Sequence, residues 1–279
     1  MNSTISDNDL IKKSVEYRKK ILTYIKKANG GHTGGSLSCI DILNVLYNDI
    51  LNISPDTFND PNRDRYIQSK GHSVEALYVV LADCGFYPET DLGTMSKYQS
   101  HFVGHPTRKI PGIEQNTGAL GHGLSISAGI AMAGKKDKAH YRVFTLLGDG
   151  ELTEGSNWEA LLFAAHYQLD NLVAIVDHNR LQITGPTNNV LNTDPLIDKF
   201  EAFGWSVKIV NGNDIPVLRK TLSNLPFEKG KPTMIIAETI KGKGISFMED
   251  NYKWHHKVPD DEQFKMALAE LEKQLNVEY

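Results

Sequence analysis

Two polar segments of the sequence have the residue types needed to bind a metal ion and an anion. Asp149 lies between two glycines, and Asn179 follows the second of them, Gly150, after 28 intervening residues (151–178). Carboxylate and amide oxygens suit Mg²⁺, which takes few protein ligands and fills its shell with phosphate oxygens and water. The backbone carbonyl of Leu181 could add a third oxygen. The glycines permit a tight turn and a close approach of backbone N–H groups to an anion.

Both segments follow stretches that are typical of buried β-strands. Residues 141–147 and 171–176 are nearly continuous apolar runs, and a helical pattern at Trp158, Leu161, Leu162 and Ala165 separates them. Buried strands that alternate with helices indicate a parallel sheet covered by helices on both faces. Ligands of such sheets bind beyond the carboxyl ends of the strands. Each segment alone is a common turn or loop signal, but together they predict one site at adjacent strand ends.

The remaining pattern predicts a single α/β domain over residues 1–279, with a three-layer parallel sheet that has helices on both faces. A polar loop is expected over 52–64, and an irregular stretch rich in Gly, Pro and His over 86–118. The other expected elements are a helix over 9–28, a second helix capped by Ser36, a third from Ser73 to before Gly85, a helix beginning near Gly155, strands over 205–210 and 233–237, and a final helix.

Four of the ten histidines lie in loop segments rather than on apolar faces: His32, His72, His105 and His255. A neutral imidazole both donates and accepts hydrogen bonds, and it can transfer protons near neutral pH. Such residues could therefore bind sugar hydroxyls. A single loop histidine is more often merely exposed to solvent.

Composition excludes several classes of protein. Hydrophobic residues make up 40% and charged residues 23%, and the formal net charge is −4. These values are typical of a soluble globular protein and give no indication of a nucleic-acid or membrane partner. Neither a signal peptide nor an apolar run of about 18 residues is present. The two cysteines form no metal-binding or disulfide pattern, so we expect a cytoplasmic protein.

Several ordered segments together resemble transketolase, a thiamine-diphosphate enzyme. The GDGE segment at 148–151 followed by Asn179 resembles the thiamine-diphosphate fingerprint, and the similarity extends over about residues 12–260. The other matching segments are KANGGHTGG at 27–35, SKGH at 69–72, GHP at 104–106, PGIEQNTGALG at 111–121 and KGKG at 241–244. The glycine order of 118–123 does not fit a dinucleotide fingerprint, and 241–244 does not fit a P-loop.

The resemblance implies a thiamine-diphosphate-binding fold and a role for each matching residue. The metal, Mg²⁺ with Ca²⁺ or Mn²⁺ as substitutes, would be held by Asp149, Asn179 and the Leu181 carbonyl. His32, His72, His105 and His255 would line the substrate channel and assist proton transfer, and Glu154 would lie at a subunit interface beside the partner's catalytic glutamate. The residues implied for cofactor binding are Gly118, Leu120, Gly148, Asp149, Gly150, Glu151 and Asn179.

The resemblance also implies a second polypeptide. In transketolases the glutamate that activates the cofactor lies in a pyrimidine-binding domain beyond the region matched here, and this sequence ends at Tyr279. We therefore expect the N-terminal subunit of a split transketolase, assembled as α₂β₂ with a C-terminal subunit. Its substrates would be sugars or sugar phosphates of pentose phosphate metabolism. Two alternatives remain open: a ketol transferase for an unusual sugar, and a non-catalytic cofactor-binding subunit. A deoxyxylulose-phosphate-synthase-like enzyme is disfavoured, because such enzymes are normally single long chains.

The sequence departs from the family at several positions near the matching segments. Thr33 stands where the family usually has Pro, His122 where Gln is common, and His256 where Gly is usual. His178 precedes Asn179 where Asp or Tyr is frequent. None of these departures removes a metal ligand. His122 is close in sequence to the expected cofactor pocket, so the identity of the substrate stays undetermined. We interpret Lys241 and Lys243 as a solvated basic turn.

Overall fold

The computed structural model describes residues 5–276, so residues 1–4 and 277–279 of the expected domain lie outside the described chain. Helices and parallel strands alternate through most of its length. The helices are α1 (Asp7–Ala28), α2 (Thr33–Val45), α3 (Val74–Asp83), α4 (Gly123–Lys136), α5 (Gly155–His166), α6 (Thr187–Val190), α7 (Leu196–Ala202), α8 (Ile215–Leu222) and α9 (Asp261–Leu275). The strands are β1 (Arg65–Gln68), β2 (Val143–Gly148), β3 (Leu172–His178), β4 (Ser206–Asn211) and β5 (Thr233–Glu238).

These strands form one parallel sheet in the order β1-β2-β3-β5-β4. Successive side chains of a strand point to opposite faces. In β2, Phe144 and Leu146 therefore pack into one apolar core, and Val143 and Leu147 into another. The first core contains residues of α1, α2, α3, α8 and α9, and the second contains residues of α4, α5 and α7. This three-layer arrangement confirms the predicted fold class.

The structure corrects several predicted elements. Strand β1 was not predicted because its four residues carry no clear apolar run, and α4, α7 and α8 were also missed. Ser36 is not a helix cap: α2 begins at Thr33, and Ser36 is buried inside the helix. The predicted end of α1 is confirmed, since Asn29 adopts a left-handed conformation with φ of 50°.

The irregular stretch predicted over 86–118 contains one short 3₁₀ helix, Glu89–Thr94, and no strand. No helix formed by residues 5–276 is both long enough and apolar enough to cross a membrane.

Candidate cofactor and substrate site

The two polar segments lie side by side at one edge of the sheet. The β2–β3 register pairs Gly148 with Asp177, so Asp149 and Asn179 both follow the carboxyl ends of neighbouring strands. They line one cavity of about 280 Å³. The other lining residues are Lys70, His72, Gly118, Leu120, Gly148, Gly150, Glu151, Leu181, Gln182, Ile183, Lys241 and His255. The cavity therefore brings together all eight residues predicted for cofactor and metal binding.

Three oxygen-bearing groups in this cavity have the chemistry of a magnesium site. The Asp149 carboxylate accepts the Gly150 N–H at Oδ1 (2.7 Å) and the Arg180 N–H at Oδ2. The Asn179 Oδ1 accepts the Leu181 N–H at 3.1 Å. The Leu181 carbonyl accepts from the Lys241 ammonium at 3.0 Å. Because each oxygen has a further lone pair, all three can still bind a cation.

The charge of Asp149 also suits the binding of a hard cation such as Mg²⁺. Burial, and then the nearby Asp177 carboxylate, raise the pKa of Asp149, so a bound cation would stabilise the charged form of this side chain. Within residues 5–276, no group of three His, Cys, Asp or Glu side chains could hold a metal ion. A metal at this edge would therefore depend on the amide and carbonyl oxygens together with one carboxylate.

Asp177 is a buried carboxylate that holds the base of the cavity together. It accepts hydrogen bonds from Ser38 at 2.6 Å, from Thr239 and from the Lys70 ammonium. Burial alone would raise its pKa, but the adjacent Lys70 ammonium outweighs burial and holds the pKa of Asp177 below its usual value. The Asn179 amide donates to the same carboxylate at 3.4 Å, which orients its oxygen. Neither Asp177 nor Lys70 was among the residues predicted to be functional.

The prediction that Lys241 belongs to a solvated basic turn is wrong. Its side chain is buried at 2% exposure and lies in the cavity, whereas Lys243 is half-buried and pairs with Glu249 at 3.4 Å. Burial, and then the charge of Lys70, lower the pKa of Lys241 to about 8. Because Lys70 is already paired with Asp177, the Lys241 ammonium is the buried charge that favours an anionic ligand. The signal available in the sequence was the glycine-flanked match at 241–244.

Glycines form the close walls of the cavity. A Cβ added to Gly150 would lie 2.9 Å from Cγ of Gln182, and one added to Gly118 would lie 2.8 Å from the His105 ring. Gly118 also has a φ of +139°, a conformation that disfavours any side chain. The absence of a side chain at these two positions therefore lets Gln182 and the His105 ring pack close to the backbone of the cavity wall, and the cofactor contacts of Gly118 and Gly150 stay a prediction.

Glu151 lines the cavity, but its carboxylate binds protein groups. It accepts from the Ser69 hydroxyl, from the Gly121 N–H at 2.9 Å and from the Gly148 N–H at 3.1 Å. Burial raises its pKa. Through these bonds, Glu151 joins the segment 118–121 to the end of β2, so its contribution to a cofactor site is to fix the cavity wall.

Glu154 lies outside the cavity. Its side chain is exposed at the start of α5, and a Cβ added to Gly121 would lie 2.5 Å from the Glu154 Cβ. This position is compatible with a contact to another polypeptide, so the interface role of Glu154 stays a prediction.

All four predicted loop histidines gather at the mouth of the cavity. The His32 ring centroid lies 5.4 Å from that of His72, 5.9 Å from His105 and 5.8 Å from His255. His72 and His255 are stacked with centroids 5.2 Å apart. A fifth ring, the exposed His256, lies 4.5 Å from His32. The departure noted at position 256 therefore adds an imidazole directly to this cluster.

Four imidazoles of the cluster, those of His32, His72, His105 and His255, have pKa values below the ordinary value for histidine. Burial, and then His256 and His105, lower the pKa of His32 to about 4. Burial, and then Lys241 and His32, lower the pKa of His255 to about 3. Burial also lowers the pKa of His72 and His105. The Nδ1 atoms of His32 and His255 are buried without a protein hydrogen-bond partner, which leaves them available to a polar ligand.

This combination of fold and site coincides with one family. A family model described as "Transketolase, thiamine diphosphate binding domain" matches residues 12–272. The chain therefore belongs to the transketolase family.

The chain is also similar to proteins that are named as single subunits of transketolases. It is 46% identical over 262 residues to an apulose-4-phosphate transketolase subunit of Phocaeicola vulgatus, a match that covers 94% of this chain and 93% of that protein. It is 40% identical over 258 residues to a 6-deoxy-6-sulfo-D-fructose transketolase subunit of a Clostridium species, covering 92% and 94%.

Solved structures confirm the relationship at the level of fold. A transketolase from Campylobacter jejuni superposes with a TM-score of 0.88 at 31% identity, and one from Leishmania mexicana with 0.89 at 28%. These matches cover 99% of this chain but only 44% and 42% of those chains. The relatives confirm the expected class of enzyme, a transketolase-type transferase.

Proposed function

We propose that this chain is the cofactor-binding subunit of a split transketolase, which transfers a two-carbon ketol unit from a ketose to an aldose. The observation that carries the proposal is the shared cavity at the ends of β2 and β3. It combines three metal-binding oxygens, two buried lysines and a cluster of neutral histidines. The first two features suit a metal-bound diphosphate, and the third suits a polyhydroxylated substrate.

In this proposal, Asp149, Asn179 and the Leu181 carbonyl hold Mg²⁺, while Lys241 and the backbone around Gly150 bind the diphosphate of thiamine diphosphate. The cofactor, when bound, supplies the carbon nucleophile and stabilises the carbanion of ketol transfer. The protein positions it and excludes water from the cavity. His32, His72, His105 and His255 then bind substrate hydroxyl groups and move protons, which neutral imidazoles can do near pH 7.

The proposed partner is a pyrimidine-binding subunit. The similar proteins of Phocaeicola vulgatus and Actinobacillus succinogenes are each named as one subunit of an apulose-4-phosphate transketolase, and each is matched over nearly its whole length. This partner would supply a carboxylic acid beside the aminopyrimidine ring of the cofactor. We propose that the exposed Glu154 contacts the partner near that acid. We propose an α₂β₂ assembly in the cytoplasm, where the free thiols Cys39 and Cys84 stay reduced.

For the donor we propose a ketose phosphate of the apulose 4-phosphate type. The two proteins named for this sugar are 46% and 48% identical to the chain, compared with 41% for human transketolase. An added imidazole at His256 alters the substrate end of the cavity, which is where such specificity would be set.

The test is ketol transfer by the chain co-expressed with the pyrimidine-binding subunit of the same genome. Thiamine diphosphate and Mg²⁺ would be supplied with apulose 4-phosphate or 6-deoxy-6-sulfofructose as donor and glyceraldehyde 3-phosphate as acceptor. Xylulose 5-phosphate would be paired with ribose 5-phosphate instead, because its transfer to glyceraldehyde 3-phosphate regenerates the starting compounds. We expect turnover only when both polypeptides are present, and the highest kcat/KM with apulose 4-phosphate. Full activity of the chain alone would refute the split enzyme. An inactive complex that still binds the cofactor would indicate a non-catalytic role for this chain.

A further inference from the structure

Glu75 is a buried carboxylate that lies outside the cofactor cavity. It belongs to the first turn of α3, and only 2% of the residue is exposed. Its Oε1 accepts the backbone N–H of His32 at 3.1 Å, and its Oε2 accepts the Ser36 hydroxyl at 2.8 Å. One side chain therefore binds both the loop that carries His32 and the first turns of α2.

The loop is shaped to admit this carboxylate. Gly31 has a φ of +149°, and a Cβ at this position would lie 2.6 Å from Oε1 of Glu75 and 2.8 Å from Ile25. Any other residue at position 31 would displace the carboxylate. The close approach of Glu75 to the loop therefore depends on glycine at position 31.

Glu75 also lies close in sequence to a second histidine of the cluster. His72 lies three residues before Glu75, in the 3₁₀ turn Gly71–Ser73 that leads into α3. The hydrogen bond from the His32 N–H thus joins the backbone segments of two residues whose rings are 5.4 Å apart. The side chain of the N-cap residue, His32, forms no capping hydrogen bond to α2, and the backbone N–H of His32 donates to Glu75 instead.

We propose that Glu75 is a positioning residue for substrate, which sets the spacing of His32 and His72 by clamping the two segments that carry them. The inference deepens the proposed ketol-transferase function and depends on it for its effect on turnover. Displacing a reacting group by about 1 Å can reduce catalysis about 100-fold. A clamp between two substrate-binding residues can therefore affect the rate without touching the substrate.

The electrostatic surroundings of Glu75 are consistent with a clamp. The charge of Glu75 acts on Tyr78 of its own helix, and Glu75 forms no ion pair within residues 5–276. Burial raises the pKa of Glu75 to about 7. Its two hydrogen bonds, rather than a counter-ion, therefore hold the carboxylate in place.

The test compares Glu75→Ala with Glu75→Gln in the complete two-subunit enzyme. A glutamine amide can accept the His32 N–H and donate to Ser36, so it preserves the clamp, whereas alanine removes it. Asp64→Asn is the matched control. Asp64 is also buried, and it accepts the Arg142 N–H at 2.8 Å. It directly precedes β1 and so lies at the amino ends of the strands, away from the cavity at their carboxyl ends. The measurements are kcat/KM, the Kd of thiamine diphosphate, and hydrogen exchange of residues 29–36.

We expect Glu75→Ala to lower kcat/KM about 10- to 100-fold, with a cofactor Kd within about threefold of the wild type. Exchange of the His32 amide should accelerate, and Glu75→Gln should restore both values to near the wild type. An equal loss of kcat/KM in Glu75→Ala and Asp64→Asn would overturn the inference. If the wild-type complex transfers no ketol unit, the proposed function fails, and unchanged exchange of residues 29–36 in Glu75→Ala would separately overturn the clamp.

Discussion

At the scale of single residues, Lys241 and Lys243 offer a direct comparison. They lie two positions apart, yet only Lys241 is buried in the cavity, where its ammonium bonds the Leu181 carbonyl. We predict that Lys241→Met weakens thiamine-diphosphate binding by about tenfold or more, the effect of losing one charge-assisted contact. Lys243→Met should change the Kd by less than about twofold. Equal effects of the two substitutions in calorimetry would contradict the placement of Lys241.

The histidine cluster gives a prediction about pH. The pKa of His32 is lowered to about 4 in the folded chain, whereas an unfolded histidine titrates near 6.5. A depressed folded-state pKa contributes stability that is present above pH 6.5 and is lost as the pH falls toward 4. We therefore expect the free energy of unfolding to decline over this window, and His32→Asn to reduce the decline.

NMR of ¹³C-labelled histidine provides the measurement. The Cε1 resonance of His32 should report a neutral ring at pH 5.5, and denaturant unfolding at pH 7 and pH 5 should give the change in stability. His140→Asn, which removes an exposed imidazole, serves as the control. A His32 ring that protonates near pH 6.5 would show that the cluster is more hydrated than the contacts indicate.

At the scale of elements, a buried ion pair holds the loop that carries Lys241. Arg18 of α1 binds Asp41 of α2 through two hydrogen bonds of 3.0 and 2.7 Å, and its Nε donates to the Lys243 carbonyl at 2.9 Å. Asn213 donates to the same carboxylate at 2.8 Å and accepts the Ile240 N–H at 2.9 Å. Two helices and the end of β4 thereby fix the loop after β5.

We predict that Arg18→Met destabilises the fold by about 3–5 kcal/mol, because it leaves the Asp41 carboxylate buried without its cation. Lys19→Met is the neighbouring control. Lys19 pairs with Glu272 at 2.7 Å on the surface, so its loss should reduce stability by about 1 kcal/mol or less. Urea unfolding measures both. Similar values for the two variants would mean that the buried pair contributes no more than a surface pair.

The elements that were predicted correctly are those with an unambiguous apolar pattern. Strands β2, β3 and β5 are buried on both faces, so their sequences are continuous apolar runs. Strand β1 has only four residues, and α4 is rich in glycine and alanine, so neither has a distinctive period. Ser36 was predicted as a helix cap because serine is common at that position. In the structure it lies inside α2, where its hydroxyl donates a hydrogen bond to Glu75.

The same contrast applies to the site. Asp149 and Asn179 were predictable because they follow apolar strands at the spacing of one βαβ unit. Lys70, Asp177 and Glu75 were not predictable, because their roles depend on contacts between distant segments. Lys70 and Asp177 are 107 residues apart in the sequence, and Glu75 and its partner Ser36 are 39 residues apart. Long-range pairs of this kind leave no periodic trace in a single sequence.

At the scale of the whole molecule, the groups that we propose to bind a metal ion, an anion and a substrate meet at one edge of a three-layer sheet. The cavity at this edge is bounded on one side by Ile183, which is 61% exposed. A large apolar side chain exposed beside a cavity is a candidate for contact with a partner. This arrangement accords with a polypeptide that completes its site on assembly.

The central claim is that the ends of β2 and β3 bind a divalent ion, which in turn holds a diphosphate. The most direct measurement is calorimetric titration of thiamine diphosphate into the two-subunit enzyme with Mg²⁺ or with EDTA, for the wild type, Asp149→Ala and the exposed-site control Asp198→Ala. We predict a loss of affinity of about 100-fold or more, or about 2.7 kcal/mol, for Asp149→Ala or on removal of Mg²⁺. An Asp149→Ala enzyme that binds the cofactor as tightly as the wild type, with or without Mg²⁺, would contradict the account.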